Sequence, residues 1–118
     1  MAETDFGLPA NALQALRGAL AKHAHVQLAI VYGSRAKGNY RPGSDIDITL
    51  AGSELTFSDL LCIETELADQ MLPYKIDLSL LSHINNPALR DHIARVGKVL
   101  WQNPEGAALA MAATPNAR

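Results

Sequence analysis

The chain has 118 residues, 48% hydrophobic and 19% charged, with a net charge of -2; that balance suits one globular domain and excludes wholesale disorder. Slight acidity argues against a surface that coats nucleic acid, which needs a Lys/Arg excess, although a nucleotide site needs only a few local cations. The single cysteine, Cys62, excludes an intrachain disulfide, and the cytoplasm is the expected compartment.

In chain order, Glu3 and Asp5 stand where a secretory signal would be basic, and no apolar run approaches the ~18 residues of a membrane span. Leu8-Pro9-Ala10 opens a segment in which Leu13, Leu16 and Leu20 recur at three- and four-residue intervals, which predicts an amphipathic helix ending near His23. Val26 to Tyr32 is apolar and β-branched and stops at Gly33, the pattern of a buried strand feeding a turn. Ser34 to Lys37 predicts a short helix capped by Ser34, followed by a loop dense in Gly38, Asn39, Pro42 and Gly43. Ser44 to Leu50 reads as a second strand, broken by Gly52 and Ser53. Phe57, Leu60, Leu61, Leu67, Ala68 and Met71 then give a helix its apolar stripe before Pro73.

Tyr74 to Leu81 predicts a third strand, Pro87 to Val96 a helix ended by Gly97, and Lys98 to Trp101 a short last strand. The order of elements belongs to an α/β or α+β domain with a small sheet. The Ala-rich stretch from Pro104 to Arg118 is expected to be a flexible tail, in which 105–113 can order against a partner.

The chemistry lies in a constellation. Side chains on a strand alternate faces, so Asp45, Asp47 and Thr49 project to one side while Ile46, Ile48 and Leu50 project to the other. The third strand repeats this with Asp77 and Ser79 against Ile76, Leu78 and Leu80. If the two strands are neighbours, three carboxylates converge with Cβ separations of roughly 4.5–8 Å. Such a cluster is tolerated by protonating one member or by binding a cation. Magnesium suits it, being commonly shared between one or two carboxylates and substrate phosphates, and two ions about 3.5–4 Å apart serve an in-line displacement at phosphorus.

Gly33 and Ser34 supply the other half, since glycine lets a ligand approach the backbone and exposed N–H groups at a helix start favour an anion. Arg35 and Lys37 add positive charge where a triphosphate would lie. Taken singly, a Gly-Ser turn or an Asp at a strand start is a common structural device. It is their conjunction that points to nucleotidyl transfer.

Gly33-Ser34, ten residues and then Asp45-Ile46-Asp47 resembles the signature of the polymerase-β-type nucleotidyltransferase superfamily. Val31-Tyr32-Gly33-Ser34-Arg35-Ala36-Lys37-Gly38 with Ser44-Asp45-Ile46-Asp47 is similar to its minimal nucleotidyltransferase (MNT) branch. The likeness runs from Val26 to Leu81, and Gly97-Lys98-Val99-Leu100-Trp101 resembles that branch's last strand. The resemblance implies a polymerase-β-like fold, a mixed sheet of three to four strands packed by helices, over residues 1–103, with 104–118 as the tail.

It also implies that Asp45 and Asp47 bind one or two Mg2+ ions and that Asp77 is the third carboxylate, a metal ligand that helps activate the acceptor hydroxyl. By the same resemblance Gly33 and Ser34 contact the triphosphate of ATP, with Arg35 and, on its charge, Lys37 beside them. Members of that branch resemble antitoxins that silence a HEPN-type RNase toxin by transferring AMP to one of its tyrosines, so a HEPN toxin is the implied partner. Two alternatives stay open: a nucleotidyltransferase for a small hydroxyl-bearing molecule such as an aminoglycoside, and a non-catalytic, nucleotide-dependent binding antitoxin. Homodimer or hetero-oligomer is likewise open, and no direct nucleic-acid binding is expected.

Other residues read blandly. His23, His25, His83 and His92 have no spacing tied to the aspartates and are expected in surface or cap roles. Cys62, between Leu61 and Ile63, is expected to be a buried or half-buried structural thiol. Trp101 reads as a core or edge anchor, Lys75 as a solvated strand end near Asp77, and Tyr32 as packing beside the turn.

Overall fold

Apolar residues at i, i+3 and i+7 bury one line of a helix, and alternation buries one face of a strand; both patterns are realised in the computed structural model, which describes residues 5–104. Helix α1 (Ala10–Ala21) leads to β1 (Leu28–Tyr32), the short α2 (Gly33–Lys37) and β2 (Ile46–Ala51). Helix α3 (Phe57–Asp69), β3 (Ile76–Leu80), a 3-10 turn (Leu81–His83), α4 (Pro87–Val96) and β4 (Lys98–Gln102) follow. The expected tail beyond residue 104 lies outside the described residues. No described helix is long and apolar enough to cross a membrane.

The four strands form one sheet in the order β3-β2-β1-β4. β1 is antiparallel to both β2 and β4, whereas β2 and β3 run parallel, so the sheet is mixed, as expected. A parallel pair needs a crossover, and α3 provides it. The register sets Tyr32 opposite Asp47 and Asp47 opposite Asp77, which gathers the three across one end of the neighbouring strands β1, β2 and β3.

One sheet face carries the core, where Ala29, Val31, Ile46, Ile48, Leu50, Leu78 and Leu80 meet Leu13, Leu16 and Leu20 of α1 and Leu60, Ile63 and Leu67 of α3. The apolar line of α3 differs from the expected one. Leu60, Ile63 and Leu67 point inward, while Phe57 and Leu61 are exposed, as is Met71 beyond the helix. Cys62 is also exposed, which corrects its reading as a buried thiol: one position from Leu61 and Ile63, it falls about 100° from the inward line.

Helix ends are set by local chemistry. Thr56 caps α3 in a reciprocal box with Asp59, and Asn86 caps α4 by accepting from the N–H groups of Ala88 and Leu89 ahead of Pro87 in the first turn. His23 and His25 tie the end of α1 to α3 through Glu66 at 3.0 Å and Asp59 at 2.9 Å, so both hold the structural roles expected of them. Strand β2 begins at Ile46, whose N–H donates to the Lys75 carbonyl, and Asp45 therefore sits at the threshold of the strand.

Candidate active site

The site is built where β1 turns into α2. Tyr32, the residue before α2, is in extended conformation and makes no side-chain cap; Ser34 is the second residue of the helix, not its cap as expected. Gly33 has φ +73°, and a Cβ there would run into Oδ2 of Asp47. Glycine is therefore required twice, by the left-handed backbone and by the carboxylate against it. Gly38, with φ +88°, ends α2 by donating its N–H to the Ser34 carbonyl at 2.9 Å.

The chain returns through a tight turn in which Ser44 N–H donates to the Arg41 carbonyl at 2.9 Å and Arg41 N–H to Ser44 Oγ at 2.8 Å, with Gly43 at φ +88°. That turn delivers Asp45 to the threshold of β2 and Asp47 against Gly33. Asp45 and Asp77 are exposed and Asp47 is half-buried. The Asp47 carboxyl is pushed above the ordinary carboxylate range by burial first, then by Asp77 and Asp45, and His92 pulls it partly back. Mutual repulsion of this kind marks an uncompensated negative cluster.

Behind the carboxylates lies a hydroxyl file. Ser79 Oγ donates to Thr49 Oγ1 at 3.0 Å, and Tyr32 shares a hydrogen bond with the Ser79 side chain. Burial raises the Tyr32 phenol's pKa, the Ser79 contact lowers it, and Asp47 and Asp77 raise it further. Tyr32 thus remains a neutral wall of the site at physiological pH.

One expected phosphate contact, Arg35, is turned inward. The Arg35 side chain is 3% exposed; its Nε and Nη2 donate to the Ser44 carbonyl at 3.1 and 2.9 Å and its Nη1 to the Phe6 carbonyl at 2.8 Å. Its guanidinium also lies 5.3 Å from the ring centroids of both Tyr40 and Tyr74. Arg35 therefore braces the loop from within and does not face a ligand, because a planar fork finds buried carbonyls and aromatic faces to satisfy it. Lys37, by contrast, is exposed at the last turn of α2.

The Gly33 N–H is likewise engaged, donating to Nε2 of His92 at 3.1 Å. His92, expected in a surface or cap role, is brought to the site by the packing of α4 against α2 and β1. Its ring meets Tyr32 edge-on, with centroids 6.2 Å apart and planes at 80°. Ser34, next in the turn, is half-buried.

The donor set fits a hard divalent cation: carboxylate oxygens only, with surplus negative charge. Among the described residues no three His, Cys, Asp or Glu side chains are gathered tightly enough to hold a metal by themselves. The expected three-way convergence is thus electrostatic and in register, not a closed cage. Magnesium sites shared with substrate phosphates have this open character.

A family profile for "Polymerase beta, Nucleotidyltransferase" matches residues 14–106. Among curated proteins none matches the sequence. A toxin-antitoxin crystal structure with AMP-PNP superposes with a TM-score of 0.60 at 24% identity, over 86% of this chain and 80% of that one. A tri-AMPylated Shewanella oneidensis HEPN toxin in complex with MNT antitoxin gives 0.58 at 21% identity, over 84% and 76%. The MntA-HepT toxin-antitoxin structure gives 0.59 at 20%, over 86% and 79%. At these identities the likeness is one of fold. With the profile spanning the sheet, the Gly-Ser turn and all three aspartates, this chain belongs to the polymerase-β-type nucleotidyltransferase family.

Proposed function

We propose that the protein transfers AMP from ATP to a hydroxyl group, a tyrosine of a HEPN-type RNase toxin, and so acts as the antitoxin of that pair. The observation that carries this is the placement of Asp47 in register with Asp77, on parallel neighbouring strands, with Gly33 packed against the Asp47 carboxylate. The structures containing AMP-PNP and an AMPylated HEPN toxin support the choice of nucleotide and acceptor.

Asp45 and Asp47 would hold Mg2+, joined by Asp77 in a two-ion site. The ion would neutralise phosphate charge and favour in-line displacement at phosphorus. The Ser34 N–H and hydroxyl would orient the triphosphate, with Lys37 as an exposed cation on the same short helix. Asp77, exposed at the edge strand, would take the proton of the acceptor hydroxyl. The bond from acceptor oxygen to the α-phosphorus forms as the bond to the pyrophosphate oxygen breaks, leaving AMP on the acceptor. Half-burial of Asp47 keeps part of the site away from water, which strengthens each of these contacts.

The test is co-expression with a HEPN protein followed by mass spectrometry of that partner. An AMP-modified tyrosine in the presence of the wild type, and none with Asp47→Asn, is expected. An unmodified partner despite ATP, Mg2+ and folded wild-type protein overturns the reading, and transfer to an aminoglycoside by the isolated chain replaces it with a small-molecule one. If Asp47→Asn still neutralises the toxin, binding alone suffices.

A further inference from the structure

We propose that His92 is a positioning residue of the phosphate-binding turn: it holds the Gly33 amide and thereby fixes how Ser34 meets the nucleotide. The inference rests on the nucleotidyl-transfer reading of the same site. It comes from a contact between residues 59 positions apart, in which the glycine of the Gly-Ser turn meets a side chain that belongs to neither the carboxylates nor that motif.

Gly33 is the point where β1 stops pairing and α2 starts. Tyr32 is the last residue of the ladder to β2, and the Gly33 N–H, at the first position of a helix, has no intrahelical acceptor. His92 Nε2 fills that role at 3.1 Å. An acceptor at Nε2 places the ring proton on Nδ1, so the neutral imidazole is the form that fits. The same ring lies edge-on to Tyr32, whose backbone leads into the turn. One side chain thus touches the turn from two directions.

Helix α4, which carries His92, is tied down near both ends. Helix α4 is capped at its start by Asn86, and Arg90 ties it to the preceding segment by donating Nη1 to the carbonyls of Leu81 and Ile84, both at 2.9 Å. At its far end Gly97 allows close approach, since a Cβ there would lie 2.7 Å from Ile30 Cγ2. A helix held at both ends and packed on β1 is a fixed platform. His92 transmits that fixity to a residue whose φ of +73° leaves its conformation to its surroundings.

Gln in place of His92 can set its amide oxygen near the site of Nε2, whereas Leu keeps bulk and removes the acceptor. Three proteins are compared as full chains: wild type, His92→Gln and His92→Leu. ATP dissociation constants with Mg2+, kcat and KM for ATP in transfer to a HEPN protein, and thermal midpoints are measured. His92→Leu is expected to raise Kd and KM for ATP about tenfold, the worth of one hydrogen bond. Its kcat should change less than about threefold, as for lost ground-state binding, and His92→Gln should return both constants to within about threefold of wild type.

Equal ATP constants in wild type and His92→Leu overturn the proposal, as does a Gln variant no better than Leu at equal thermal midpoints. Wild type that binds ATP but transfers nothing overturns the functional reading alone, and the Kd comparison still decides the role of His92. Wild type that does not bind ATP overturns both.

Discussion

The Arg35 guanidinium grips the carbonyl of Ser44 with two of its nitrogens, at 3.1 and 2.9 Å. Ser44 immediately precedes Asp45, so a buried cation at the base of α2 fixes the entry of the carboxylate strand. The third donor reaches the Phe6 carbonyl, and Tyr40 and Tyr74 flank the group. Lysine carries the charge but not the fork. Arg35→Lys should therefore cost about 2 kcal/mol, the scale of hydrogen bonds to a charged group, and lower Tm by roughly 10 °C. Calorimetry checks it; an unchanged Tm would return Arg35 to the role of a surface phosphate ligand.

Gly33→Ala separates stability from turnover. The added Cβ meets only the end of the Asp47 side chain, which can swing away, so the stability cost stays near the ~1 kcal/mol of a left-handed non-glycine residue. The displaced carboxylate is the one the proposed transfer relies on. A misplacement on the order of 1 Å costs roughly 100-fold in rate. AMP transfer measured beside a melting curve checks the pair of values, and a fully active Gly33→Ala would show that this approach is not functional.

What the sequence disclosed follows from which interactions are local. Alternation in Ile46–Ala51 and Ile76–Leu80 separates carboxylate from core face without knowledge of the partner strand. Their pairing in register depends on the crossover through α3 and has no local signal. Arg35 beside a Gly-Ser turn has the same sequence appearance whether it faces phosphate or carbonyl; only the return of Phe6 and Ser44 decides it. His92 was out of reach because its partner lies 59 residues away. Leu61 and Cys62 were misplaced for a simpler reason: α3 has more apolar residues than its inward line can bury.

The charge cluster predicts how stability responds to pH without metal. The folded Asp47 carboxyl binds its proton more tightly than an unfolded one, so the native state holds the extra proton and stability falls as pH rises through and above the ordinary carboxylate range. Asp47→Asn removes that repulsion. It should melt above wild type at pH 7 in chelator, with the gain vanishing as pH drops below the ordinary carboxylate range. Mg2+ should raise the Tm of wild type at pH 7, by mass action on the native state, and raise that of Asp47→Asn much less. An Asp47→Asn variant less stable than wild type in chelator would mean that the carboxylates are already compensated.

The cap of α3 answers to pH in the opposite sense. The Asp59 carboxyl is held below the ordinary range by His25 and then by the Thr56 backbone, while its Oδ2 accepts from Thr56 N–H at 2.9 Å and from Thr56 Oγ1 at 3.1 Å. A depressed carboxyl contributes stability that is present above its unfolded pKa and lost as pH falls through the folded one. Thr56→Ala removes the other half of the box, the Thr56 Oγ1 that accepts from Asp59 N–H at 3.2 Å, and should cost about 1 kcal/mol. Asp59→Asn should lower Tm at pH 7 and cost progressively less as pH drops below the ordinary carboxylate range. Melting curves across that pH range check the sign, and a cost that grows on acidification would assign the cap's stability to groups other than Asp59.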